Sequence, residues 1–109
     1  MNIRGALLVM VGGLWASVAG AWDAKVSLLL HHGDYMAVYL TPDPGVGSCS
    51  AGNPYLVRIE DTLQSKQRIA ILMQASATGQ MIGGYSDGCS IGIWGVSRPL
   101  IERLQIYAN

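Results

Sequence analysis

The chain of 109 residues carries two cysteines, Cys49 and Cys89, and they are its first candidates for chemistry. They lie far apart, without the Cys-x-x-Cys spacing of thiol redox catalysts. A structural disulfide is therefore expected ahead of a reactive or metal-binding thiol pair. It would close a loop of about 40 residues, which chain entropy values at about 4 kcal/mol. His31 and His32 are the only histidines. Neighbours on a strand point to opposite faces, so the two cannot easily share a metal ion, and a solvated turn with Asp34 beside either ring is expected. Among the carboxylates, Glu60 and Asp61 are adjacent, while Asp87 and Glu102 stand elsewhere. A glycosidase needs two carboxyl groups facing each other across a cleft, and no spacing here provides that. Ser48, Ser50, Ser86 and Ser90 lack a Gly-x-Ser-x-Gly elbow and lie far in sequence from both histidines. The expectation is a protein without catalytic residues, metal or cofactor.

The aromatic residues are the stronger leads. Trp94 sits in the stretch Gly92-Ile93-Trp94-Gly95, close in sequence to Tyr85, Asp87 and Ser90. An aromatic ring packs on the C–H face of a sugar while carboxylate and hydroxyl groups take its hydroxyls. Tyr85, Asp87, Ser90 and Trp94, with Ser86 among them, form the candidate ligand-binding set. The competing reading has Trp94 packing over the disulfide or the barrel end. Tyr35 and Tyr39 share one face of a strand and are candidates for a subunit interface, where tyrosine is enriched.

The elements that would position these groups follow from periodicity. Lys25–His31 and Tyr35–Thr41 alternate as strands around the turn His32-Gly33-Asp34, which makes a hairpin. In the second strand Met36, Val38 and Leu40 are expected to face the core. Thr41–Asn53 is a loop rich in Pro, Gly and Ser. Tyr55–Ile59 is a third strand with Tyr55, Val57 and Ile59 inward. Ser65–Thr78 then changes period: Ile69, Leu72, Met73 and Ser76 fall on one helical face. Asp61, Thr62 and Ser65 are all competent caps, and Gly79 is a natural terminator. Gln80–Tyr85 is a fourth strand, in which Gly83-Gly84 predicts a bulge or sharp coil. Ser86–Pro99 reads as a loop. Leu100–Tyr107 is the last strand, with Leu104 and Ile106 inward and Arg103, Gln105 and Tyr107 outward. The order is β-β-β-α-β-β, an all-β protein with one helix, matching a five-stranded OB-fold barrel.

Residues 1–21 stand apart from this pattern. A basic start, an apolar run and the ending Ala19-Gly20-Ala21 predict a signal peptide, with one domain over residues 22–109. An uncleaved anchor is the alternative, though the apolar run is short for a span. The expected destination is the periplasm or the exterior, where disulfides persist. Basic and acidic residues number seven each, and loss of Arg4 leaves one net negative charge. No basic stripe or polybasic block occurs, so neither nucleic acid nor a membrane surface is an expected partner.

One resemblance is carried by short motifs. Lys66-x-x-x-Ala70-Ile71-Leu72-Met73-x-Ala75-x-Ala77-Thr78-Gly79 precedes an apolar strand and Gly88-Cys89. Cys49-Ser50 lies before the third strand, and Leu104-Gln105-Ile106-Tyr107 lies near the end. Together they resemble the small secreted OB-fold proteins related to the B subunits of AB5 toxins, such as the subtilase cytotoxin B subunit. The resemblance covers about residues 26–107. It implies a Cys49–Cys89 bond, a non-enzymatic glycan-binding or small-ligand-binding module, and assembly into a homo-oligomeric ring, a pentamer in the toxins. No glycan-contact residue of that family maps onto this chain. The alternative function is a periplasmic protein–protein module, an enzyme inhibitor or an envelope-stress factor.

Overall fold

The computed structural model describes residues 20–47 and 49–107. The expected signal segment lies outside these residues except for Gly20 and Ala21, and so does Ser48. Five strands, β1 (Gly20–His32), β2 (Tyr35–Thr41), β3 (Tyr55–Arg58), β4 (Met81–Ser90) and β5 (Arg98–Ile106), close into a barrel in the order β1-β2-β3-β5-β4. One helix, α1 (Leu63–Thr78), stands between β3 and β4. Neighbouring strands are antiparallel except β3 and β5, which run parallel at Leu56 and Leu100. This is the OB-fold order that the strand pattern predicts. Closure leaves no free sheet edge, which suits a domain with a small core.

Alternation sets the core. Trp22, Ala24 and Val26 of β1, Val38 and Leu40 of β2, Tyr55 and Val57 of β3, Ile82 of β4 and Ile101 of β5 fill the barrel. Leu72 and Ala75 of α1 plug one end. A register shift between Val26 and Leu28 inverts the parity of β1. Beyond it Leu29 packs on the core, while Leu28 and Leu30 face outward. A bulge does this because the side-chain period is two and one extra residue moves the pattern to the other face.

α1 begins at Leu63, two residues before the expected start. Thr62 is the cap that forms: its hydroxyl accepts from the Ser65 N–H at 3.1 Å. Gly79 ends the helix at φ +70 with its N–H on the Ala75 carbonyl. The buried face is Ser65, Leu72 and Ala75, with Ile69 packed alongside. Met73 and Ser76, expected on that face, are exposed. The small Ala75 lets the backbone lie close to the barrel, and the contact stripe turns toward it.

Two boundaries differ from the alternation reading. β4 runs on to Ser90 and β5 begins at Arg98, so half of Ser86–Pro99 is strand and the true connection is Ile91–Ser97. Register shifts at Tyr85/Ser86 and Ser86/Cys89, with Gly88 at φ +79, hide the strand by breaking its period. β3 ends at Arg58, leaving Ile59 half-buried outside it.

The β4–β5 connection folds back over the outside of the barrel. Ile93 is fully buried there in a second cluster with Ala37, Leu56 and Leu100, and Tyr35 packs against it. The Cys49–Cys89 disulfide ties the β2–β3 loop to the end of β4. That loop is further pinned by Asn53, whose side chain bonds both backbone groups of Leu40, and by Ala51 N–H on the Ser97 carbonyl.

Candidate functional site

A cleft of about 460 Å³ opens on the outer face of β1, β4 and β5. Two cross-strand rows build it: Ala21, Tyr85 and Arg103 in one, Asp23, Gly83 and Gln105 in the other. Gly83 leaves the floor of the second row empty. A Cβ there would lie 2.7 Å from the Tyr107 hydroxyl and 3.1 Å from Asp23 Oδ1. Gly84 faces the barrel interior instead, and the Trp22 indole fills the space its side chain would take. Trp22 is fixed there by its Nε1–H on Ser86 Oγ at 2.9 Å and by an edge-on Tyr55 ring at 6.2 Å.

The walls differ in chemistry. On one side the Arg103 guanidinium lies 5.6 Å from the centroid of the Tyr85 ring. On the other, the Tyr107 hydroxyl donates to Asp23 Oδ1, and Gln80 Nε2–H donates to the Tyr107 carbonyl at 2.8 Å. The bond to Asp23 holds the Tyr107 phenol above its usual range, because ionisation would put two negative charges side by side. The groove thus offers donors from Arg103, acceptors from Asp23, both from Gln105 and Tyr107, and an aromatic surface from Tyr85.

Of the four residues expected to bind ligand, Tyr85 alone lines this groove. Asp87 is exposed in the bulged part of β4. Ser90 Oγ is engaged with the Tyr35 hydroxyl at 2.8 Å and accepts from Gly92 N–H. Trp94 is 52% exposed and is not a core side chain. It lies between His32, with ring centroids 5.7 Å apart, and the Arg98 guanidinium at 5.2 Å. Tyr35 is held within the chain by Ser90, whose hydrogen bond draws its phenol below the usual range, and its ring packs on Gly92. Tyr39 is half-buried opposite Leu28. His31 and His32 are exposed, and His31 bonds the Gly33 carbonyl rather than Asp34. Among the described residues no group of three or more His, Cys, Asp or Glu converges for a metal, and no helix is long and apolar enough to cross a membrane.

Comparison with known proteins returns no matching family, no matching curated protein and no matching solved structure.

Asp23 was the group hardest to find. Arg103, Gln105 and Tyr107 follow from alternation in β5, but Asp23 stands beside the expected cleavage point, ahead of any recognised strand. The usable signal was Trp22-Asp23-Ala24-Lys25-Val26, which alternates as cleanly as the rest of β1.

Proposed function

We propose that this barrel is a non-enzymatic binding module whose β1/β4/β5 groove takes a glycan or a comparably small polar ligand. The observation carrying the reading is the Gly83 floor between an Arg103–Tyr85 wall and an Asp23–Tyr107 wall. A sugar presents alternating hydroxyls on an apolar ring, and it needs donors, acceptors and an aromatic surface within one shallow cleft. The disulfide suits an oxidising compartment outside the cytoplasm, and we read the protein as periplasmic or secreted after loss of residues 1–21, which takes Ala21 from the end of the groove and leaves Asp23, Gly83, Tyr85, Arg103, Gln105 and Tyr107. The resemblance of its short motifs to AB5 B subunits is what adds ring assembly to the proposal.

A protein–protein role is the second reading. It is favoured by Leu28 and Leu30, 52% and 37% exposed, beside Tyr39 on the outer face of β1 and β2.

A glycan array tests the first reading. Wild-type protein should bind one glycan class, and Gly83→Val and Tyr85→Ala should lose it while keeping the native circular dichroism. Silence of the wild-type protein on the array, or undiminished binding by both variants, would overturn it. Native mass spectrometry separates a closed ring from a monomer.

A further inference from the structure

The β4–β5 connection carries a second cluster that the groove does not use. Arg98 is only 9% exposed, a rare degree of burial for a guanidinium. One of its nitrogens, Nη1, donates to the Asn53 carbonyl at 2.9 Å. Its Nε–H is buried and has no partner among the described residues. A buried donor left without an acceptor is costly, and a native protein seldom keeps one without a use. The Trp94 ring lies against this guanidinium, and His32 flanks the ring from the end of β1. Trp94 is also the sole non-glycine residue at positive φ among the described residues, at +56. A bulky side chain in that region is strained, so the chain holds the indole outward against its backbone preference. Gly95, at φ +65, follows directly.

We infer that Trp94 and Arg98 form a second binding site, for a carboxylate borne on a sugar ring, and that Trp94 shifts to admit it. The Nε edge of a guanidinium presents two parallel N–H groups, which match the two oxygens of a carboxylate. With Nη1 already committed to Asn53, that edge is the part of Arg98 with an unmet bond. The carboxylate supplies the missing acceptor. The exposed face of Trp94 packs on the ring that carries it, with His32 beside the indole. Strain at Trp94 lowers the cost of the shift, because the closed position is not the backbone's preferred one. The two sites are separate: Tyr85 and Arg103 belong to the groove, and Trp94 touches neither in the ring contacts that fix it.

The test is titration of ¹⁵N-labelled protein with sodium D-glucuronate, with D-glucose and sodium chloride as controls. Glucuronate should move the Trp94 indole N–H and the Arg98 Nε–H resonances, and glucose and chloride should leave both in place. Trp94→Gly, which suits a positive φ and so preserves the fold, should weaken glucuronate at least tenfold, as should Arg98→Lys. The proposal fails if glucuronate moves neither resonance, if glucose moves them equally, or if Trp94→Gly binds as tightly as wild type. It also fails if Gly83→Val abolishes glucuronate binding while Trp94→Gly leaves it, since the sugar would then sit in the groove.

Discussion

Gly83 and Gly84 are adjacent in sequence, yet alanine at each should have opposite consequences. At Gly84 a Cβ would fall 2.2 to 2.6 Å from three atoms of the buried Trp22 indole. That ring cannot yield without leaving Ser86, its partner at 2.9 Å. Overpacking a core costs about 1–3 kcal/mol, and stranding the buried indole N–H costs about another 1–3. Removing a flexible glycine returns roughly 0.5–1 kcal/mol. The net loss for Gly84→Ala is about 3 kcal/mol, which lowers the melting temperature by on the order of 15 °C in a domain this small. At Gly83 the new methyl meets only exposed side chains: the ends of Tyr107 and Asp23, and Cγ of Gln105. They can swing into water, so Gly83→Ala should change stability by about 0.5 kcal/mol or less. It should instead release the Tyr107 phenol from Asp23 and bring its raised ionisation back toward normal. Urea unfolding followed by circular dichroism, with ultraviolet titration of the tyrosines, measures both effects. Equal stabilities for the two variants would mean that β4 does not alternate as described, and the groove floor would be misassigned.

Three further outcomes are expected. Reducing Cys49–Cys89, which are 40 residues apart, should cost about 4 kcal/mol in urea unfolding; a loss below about 1 kcal/mol would mean the barrel holds that loop closed unaided. Tyr55 is pushed up to about 12 by burial and by its hydrogen bond to Asp43. The neutral phenol is the favoured form, so its contribution, roughly 2–3 kcal/mol, is complete below pH 10 and disappears between pH 10 and 12, and Tyr55→Phe should flatten that alkaline limb. Thr62→Ala removes the oxygen that accepts from Ser65 N–H, and thermal unfolding should register a loss of about 1 kcal/mol.

The order of elements was legible because most of them keep one period. Val38 and Leu40 alternate, the helix runs from a Thr cap to a Gly terminator, and the turn glycine Gly33 sits at φ +58 where a hairpin needs it. What was not legible follows from departures from period. Leu28-Leu29-Leu30 fits either parity, and only the bulge before it decides which leucine is inside. Met73 and Ala75 are both apolar positions on α1, and the smaller one won because close approach to the barrel rewards a short side chain. In the β4–β5 connection the neighbours Ile93 and Trp94 are both large and largely apolar, yet one is fully buried and the other is half exposed. A positive φ at Trp94 turns the two side chains apart, and no local pattern announces it.

The same reasoning explains why the candidate ligand set divided. Tyr85 and Trp94 are nine positions apart and were grouped because sequence proximity stood in for spatial proximity. β4 continues past Tyr85 and carries Ser90 away from it along its length, to a pairing with Arg98 rather than Arg103. Each aromatic ring then meets its own arginine on β5: Arg103 for Tyr85, Arg98 for Trp94. Arg103 and Tyr85 line an open groove, while the buried Arg98 keeps an unmet donor beside the strained, exposed Trp94 ring. Two arginines of one strand thus have different surroundings, Arg103 at the surface and Arg98 buried, and the two proposed sites are distinguished by that difference.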